Sequence, residues 1–191
     1  MSQPQSPAYF DPLSTEGLTN IICRRFETVH RWELKEDLPP FGGHGLYALY
    51  FVGAGGVYAP LSGTKVPLYV GQSVDVRSRL REHRRSINSS PLAVSNFAVG
   101  ALLMPEVHVD LGEDGLRKGY LPIWNELLKG FGSHGQGHDR GNPPSKWDTF
   151  HPGRYAAAQP SNHDVQALHK QVTDEVARQS KLVPPWQVFF G

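Results

Sequence analysis

From Gly45 to Val52 the chain reads GLYALYFV, an apolar and aromatic run closed by Gly53, Gly55 and Gly56, which predicts a strand. Side chains alternate along a strand, so Tyr47, Leu49 and Phe51 share one face while Leu46, Ala48 and Tyr50 share the other. Val66 to Val70 is a second short run, closed by Gly71, and the turn-rich segment before it makes the pair a long-looped hairpin. Tyr47 and Tyr69 then project from neighbouring strands toward one place. A helix follows, because Val76, Leu80, His83 and Ile87 recur at spacings of 4, 3 and 4. His83 interrupts an otherwise apolar stripe.

The remaining pattern frames this centre. Ser14 can cap a helix whose stripe is Leu18, Ile21, Ile22 and Phe26, ending near His30; the lone Cys23 within it reads as core. Trp32 to Pro40 leads into the first strand. Phe97 to Met104 reads as a third, buried strand. A helix beginning near Gly112 would bury Leu116, Tyr120 and Ile123, with Pro122 kinking or restarting it before Trp124-Asn125. Asn162 to Lys181 is amphipathic through Val165, Leu168, Val172 and Val176, a structural helix or a dimer surface, and the Pro-interrupted tail from Leu182 to Phe190 is apolar enough to dock on the core or a partner. The fold class is α/β (α+β): a small three-stranded sheet flanked by helices, with helical additions at both ends.

Composition agrees with one domain over 1–191, since 191 residues that are 39% hydrophobic can enclose their own core. The opening MSQPQSPAYFDP lacks the basic start and apolar stretch of a signal peptide, and no apolar run approaches the roughly 18 residues of a membrane span. The expected location is cytoplasmic, with no membrane contact. One cysteine excludes an internal disulfide and a Cys-rich zinc module.

A formal net charge of +1 argues for no partner by itself. Placement changes the picture, because phosphate attraction is local and screened over roughly 8 Å at physiological salt. Between Arg77 and Ile87, the residues Arg77, Arg79, Arg81, Arg84 and Arg85 are opposed only by Glu82. That helix is a candidate DNA-facing patch, against the plain alternative of a solvated arginine face. The stretch from Gly130 to Gly153 is rich in Gly, His and Pro and too long for an idle connection. Its Arg140 and Lys146, with Arg154 just beyond, supply cations for DNA, and Ser133, Gln136 and Asn142 supply groups able to read base edges. His134, His138 and Asp139 lack the regular spacing of a metal site.

Singly, each chemical candidate has a bland reading: cross-strand packing for the tyrosines, a helix-dipole carboxylate for Glu113. Their order is what stands out. Gly45-Leu46-Tyr47 and Tyr69-Val70-Gly71 resemble the two tripeptides of the GIY-YIG nuclease superfamily, and Arg79, His83, Glu113 and Asn125 follow in that family's order. The segment from Glu113 to Asn125, followed by Gly130-Phe131-Gly132, is similar to the pattern E-x-x-L-x-x-x-Y-x-P-x-W-N and GFG of its type II restriction endonuclease branch. The resemblance spans about Gly45 to about Arg154, with a nuclease core over about 43–130 and a DNA-contacting loop over about 130–154 before the helix at about 162–181.

The resemblance implies a type II restriction endonuclease that cuts double-stranded DNA, as a homodimer on DNA, at a short GC-rich palindrome for which CCGCGG is a candidate. A cognate methyltransferase would share the system without direct contact. The implied cofactor is Mg²⁺, or another divalent cation such as Mn²⁺, held by Glu113, with Asp114 as the rival ligand. Arg79 would offset charge on the phosphoryl group, and Tyr69 would orient water or phosphate. Either Tyr47 or His83 would act as general base, and Asn125 would fix a neighbouring side chain or phosphate. Two other readings stay open: a nuclease with no fixed site, and a DNA-binding protein of this fold that does not cut.

Overall fold

The computed structural model describes residues 11, 13–132, 143–154, 160–183 and 186. Helix α1 (Thr15–Glu27) starts where Ser14 Oγ accepts the Gly17 N–H. It leads through β1 (Arg31–Glu33), β2 (Gly45–Phe51) and β3 (Tyr69–Ser73) to α2 (Val76–Asn88). Then come β4 (Phe97–Leu103), α3 (Glu106–Tyr120) and the short α4 (Ile123–Glu126), and last α5 (Lys146–Phe150) and α6 (Val165–Gln179). None of the helices among the described residues is long and apolar enough to cross a membrane.

The sheet has four antiparallel strands in the order β1-β4-β2-β3, one more than the pattern predicts. The extra strand is β1, where Arg31, Trp32 and Glu33 pair with Gly100, Val99 and Ala98. Three residues with one charge at each end carry no alternation long enough to read. The second predicted strand is shifted: it runs from Tyr69 to Ser73, because Pro67 has no N–H to give the ladder. Tyr47 lies opposite Gly71, and Leu49 opposite Tyr69, so both tyrosines share one face.

The two faces of β2 meet different helices. On the Tyr47 side lies α2, with Val76, Leu80, His83 and Ile87 all buried as their spacing requires. On the Leu46 side lies α3, and outside it α1. Helix α3 begins at Glu106, well before Gly112, so Glu113 sits in its middle and owes nothing to a helix-terminal dipole. Its glycines look like breakers but are points of close approach. A Cβ on Gly112 would run into Leu46 and lie 2.7 Å from Ile22 Cγ2, and one on Gly115 would strike Thr19 and lie 2.6 Å from Cys23 Sγ. Cys23 and Phe26 are the buried residues of α1, whereas Ile21 is 56% exposed, so the predicted stripe is rotated by about one residue. The helix ends at Leu121, which takes a left-handed φ of 50°, and Pro122 then caps α4. At the C-terminal end, Trp186 packs its ring over Gly119 and against Tyr120 at 5.4 Å, while the rest of the tail beyond Val183 lies outside the described residues.

Beneath α4 and α5 the core holds a polar chain that no pattern announces. Trp124 Nε1 donates to Tyr58 Oη at 2.9 Å, and Tyr58 Oη lies 2.9 Å from His151 Nε2. Phe150, Trp147 and Trp124 surround His151 with ring centroids 4.8, 5.0 and 5.8 Å away. Burial, with a smaller contribution from nearby His169, pushes the His151 imidazole down to about 3.

Two predictions follow from this packing. Gly115→Val should lower stability by about 1–3 kcal/mol in urea unfolding through overpacking between α1 and α3; an unchanged midpoint would show that the helices have room. His151 stays neutral in the fold, whereas the unfolded chain protonates it near the ordinary value of about 6.5. Its contribution is therefore complete above that pH and is lost progressively as pH falls toward about 3. Melting temperatures measured from pH 7.5 down to 4 should fall more steeply for the wild type than for His151→Gln, and equal slopes would refute the assignment.

Candidate active site

The alternation of β2 and the stripe of α2 bring Tyr47 and His83 together inside the protein. Tyr47 Oη lies 2.7 Å from His83 Nε2, and the two residues are 1% and 2% exposed. Tyr69 completes a triangle of rings, 6.1 Å from Tyr47 and 5.2 Å from His83 between centroids. The strand opposite must be bare for this to form, since a Cβ on Gly71 would sit 2.6 Å from the Tyr47 hydroxyl.

Electrostatics fixes the protonation state of the phenols. Burial above all, then the nearness of Tyr69, raises the Tyr47 phenol well above its usual range, although Arg79 pulls the other way. Tyr47 therefore keeps its proton, and its hydroxyl shares a hydrogen bond with His83 Nε2. Tyr69 is raised as well, chiefly by burial, with Arg79 opposing. Glu113 is near enough to Tyr69 to add to that rise.

Arg79 stands at the mouth of this triangle. One terminal nitrogen is 2.5 Å from Glu82 Oε2, and the other donates to the Gly132 carbonyl. Burial disfavours its charge, but Glu82 and Tyr47 outweigh that and hold its proton more firmly than usual. The Gly130-Phe131-Gly132 segment, read only as a motif in the sequence, is the lid. Phe131 stacks on His83 at 4.6 Å with an interplanar angle of 20°, and Gly132 passes so close over the Tyr69 hydroxyl that any side chain there would collide with it.

Glu113 reaches the same region from the opposite face, around the edge strand β3. It is half-buried beside Gln72, the residue after Gly71, whose amide also donates to Asp110 Oδ1 at 2.6 Å. Burial raises the Glu113 carboxyl; Gln72 and Arg117 oppose this, and the Asp114 and Asp110 charges add to it. Asp114 points to solvent and pairs with Lys118 at 3.7 Å, so of the two rivals Glu113 is the half-buried one whose charge is felt at Tyr69. A carboxylate crowded by other negative charge suits a divalent cation. Among the described residues no three His, Cys, Asp or Glu side chains form a ready cage, so an ion here would rely on Glu113, water and substrate oxygens.

Asn125 does something more local than expected. Its Oδ1 accepts the Val70 N–H at 2.8 Å and its Nδ2 donates to the Val70 carbonyl at 2.8 Å. The side-chain amide pairs with the open edge of β3 as another strand would, and so pins the residue next to Tyr69.

The cations expected to face DNA are placed unevenly. Arg81 and Arg85 are exposed on α2, Arg77 donates to the Leu38 carbonyl at 3.0 Å, and Arg84 lies 3.5 Å from Glu36. Lys146 opens α5, half-buried. Arg154 departs most from expectation. Its side chain is 4% exposed, grips Asp148 at 2.8 Å, and donates to the carbonyls of Phe131 and Gly130 at 2.8 Å each. It holds the lid from inside. Arg140, with Ser133, His134, Gln136, His138, Asp139 and Asn142, lies outside the described residues.

Sequence reasoning missed Glu82, Gln72 and the Gly132 carbonyl as parts of this site. Glu82 alone had a signal, as the one acid among the arginines of α2.

No curated protein matches the chain. A family model does: Eco29kI GIY-YIG domain, matched over residues 72–180. That span, more than half of the chain, contains Arg79, His83, Glu113 and Asn125 and begins just past the Tyr69-Val70-Gly71 tripeptide. With the four-stranded α+β fold built around both tripeptides, it establishes that the chain belongs to the Eco29kI GIY-YIG domain family and is a nuclease of the restriction-endonuclease kind.

Proposed function

We propose that the chain is a type II restriction endonuclease making metal-dependent, sequence-specific double-strand cuts in DNA by phosphodiester hydrolysis. The observation that carries this reading is the convergence on β3: the buried Tyr47–His83 pair and Arg79 on one face, and Glu113 reaching round from the other.

Hydrolysis of a phosphodiester needs a stronger nucleophile than water, relief of charge on the phosphoryl oxygens, and help for the departing 3′-oxygen. Tyr47 and His83 serve the first need as one unit. Tyr47 Oη takes a proton from the attacking water as its own proton passes to His83 Nε2, leaving an imidazolium and a neutral phenol. The water oxygen bonds to phosphorus, the bond to O3′ breaks, and O3′ takes a proton from solvent. This relay answers the high proton affinity of Tyr47, because a phenolate never has to persist in the dry interior. The guanidinium of Arg79, always charged, offsets the developing negative charge, and Tyr69 orients the water or the phosphate. A bound Mg²⁺ or Mn²⁺ at Glu113 would supply Lewis-acid stabilisation of the phosphate and the leaving oxygen. Asn125 acts indirectly by holding the Val70 backbone and hence Tyr69.

Arg81 and Arg85 are the α2 cations best placed to meet DNA backbone, with Lys146 and Arg140 as further candidates. A palindrome read by a homodimer, with one such site per strand, fits the type II reading. CCGCGG is the candidate sequence, and a methyltransferase of the same specificity is the expected companion in a cytoplasmic system.

Plasmid digestion in Mg²⁺ tests the whole scheme. The wild type should yield discrete fragments and lose activity in excess chelator. Glu113→Gln, Arg79→Ala and Tyr47→Phe should each slow cutting at least about 100-fold while keeping the wild-type circular dichroism spectrum. A smear would remove the fixed site, and full-rate cutting by Glu113→Gln would remove the metal role of that residue.

A further inference from the structure

The strap Gly130-Phe131-Gly132 has little stiffness of its own. Gly130 takes a positive φ of 121°, and the two glycines leave Phe131 as its one side chain. Its path is imposed by four successive carbonyls that each accept a hydrogen bond. Lys129 accepts from the Trp147 N–H at 3.2 Å, Gly130 and Phe131 accept from the two terminal nitrogens of Arg154 at 2.8 Å each, and Gly132 accepts from Arg79. The first three donors come from α5 and the turn after it. The fourth belongs to the active site.

Arg154 is itself held in place. Its Nε and one terminal nitrogen meet the two oxygens of Asp148 side by side, at 2.8 and 2.9 Å, and its plane lies over the Trp147 ring. Ser145 Oγ, at the cap of α5, donates to the same carboxylate at 2.6 Å. With side chains 4% and 15% exposed, this ion pair gives little net stability over an apolar pair of the same shape, because desolvation offsets the attraction. What the guanidinium adds is geometry, a planar fork aimed at one carboxylate and two carbonyls at once.

Two contacts of the site depend on where the strap lies: the Phe131 ring on His83 at 4.6 Å and the Gly132 carbonyl on Arg79. A slip of the strap along α5 moves both. Resting on the nuclease reading above, we propose that Arg154 is a positioning residue for phosphodiester cleavage. It sets the register of the strap, and through the strap the placement of the Arg79 guanidinium and of the His83 ring. Arg154 touches neither DNA nor any reacting atom, unlike the phosphate contact that its charge suggests in the sequence. The leverage is large, since a misplacement of about 1 Å at a reacting group costs about 100-fold in rate.

Two other roles compete with this one, a phosphate contact and a staple that serves the fold alone. Steady-state plasmid cleavage in Mg²⁺ by the full chain separates them, at a temperature where circular dichroism gives the folded fraction of each variant. Arg154→Lys keeps the charge but cannot grip Asp148 and two carbonyls together; kcat should fall about 10-fold with KM within about twofold. Phe131→Leu frees the His83 ring and should cost a similar factor. The double variant should lose no more than about threefold beyond the worse single one, because both act through one strap. Arg31→Lys alters an arginine elsewhere that donates to the Thr64 carbonyl at 3.0 Å and covers the Tyr50 ring, and should leave both constants within about twofold. Binding of a fluorescein-labelled duplex in chelator should show the same salt slope for Arg154→Gln as for the wild type. A slope shallower by about one unit would make Arg154 a phosphate contact and overturn the proposal. So would an unchanged kcat in Arg154→Lys, a loss that only tracks the unfolded fraction, an equal loss in Arg31→Lys, or losses that multiply in the double variant. A wild type that fails to cut overturns the nuclease reading, and this role with it.

Discussion

The structure turns on one hydrogen bond, the 2.7 Å contact between the buried Tyr47 Oη and His83 Nε2. A buried polar group left without a partner costs about 1–3 kcal/mol, so the pairing helps both side chains sit in the interior. Meeting that requirement fixes much else. Tyr47 must point to the α2 side, which sets the face of every residue in β2. His83 must occupy a core position of α2, breaking the apolar stripe. Gly71 must lack a side chain where the hydroxyl passes, and Phe131 must cover the imidazole from above.

A second constraint is the open edge of β3. An unpaired strand edge exposes N–H and C=O groups that invite other strands, and proteins cover or disguise such edges. Here the Asn125 amide satisfies both groups of Val70, and the Trp124 N–H bonds to the Leu68 carbonyl at 2.9 Å. The edge is thereby sealed over Leu68 to Val70, while Gln72 further along stays exposed and meets α3. Side chains from α3 can reach the tyrosine side only around such an edge, which explains how Glu113 joins groups held on the other face of the sheet. The edge strand is thus both the weakest part of the sheet and the one place where its two faces communicate.

Elements whose physics is periodic were legible in the sequence. The stripe of α2, the alternation of β2 and the buried run of β4 each follow from spacing alone, and the joint face of Tyr47 and Tyr69 follows from alternation plus pairing. What could not be read depended on partners distant in sequence. Strand β1 exists because β4 offers an edge, and its three residues have too little pattern to declare it. The start of α3 was hidden by Gly112 and Gly115, which signal a break locally but serve the contact with Leu46, Ile22, Thr19 and Cys23. The Tyr58–His151 pair joins residues 93 positions apart, and a buried histidine looks like any other until its neighbours are known. The order of Arg79, His83, Glu113 and Asn125 was visible; that Asn125 serves a backbone rather than a phosphate was not.

Arginine content was the least reliable guide, and the reason is geometric. Counting charges treats every guanidinium as available to solvent, yet this side chain is also the best available strut for backbone carbonyls, with five donors in a planar fork. Arg77 spends its fork on Leu38, and Arg154 spends its own on Gly130, Phe131 and Asp148 while its plane covers the Trp147 ring at 4.8 Å. Each phosphate neutralised contributes close to one unit to the salt dependence of DNA binding, so a count taken from sequence overstates it. Of the candidate DNA-facing arginines among the described residues, Arg81 and Arg85 remain exposed, one helical turn apart on α2, the helix that carries Arg79 and His83. On the proposed reading, the rigid element that presents charge to a DNA backbone also sets the depth at which Arg79 meets it, coupling affinity to chemistry through a single helix.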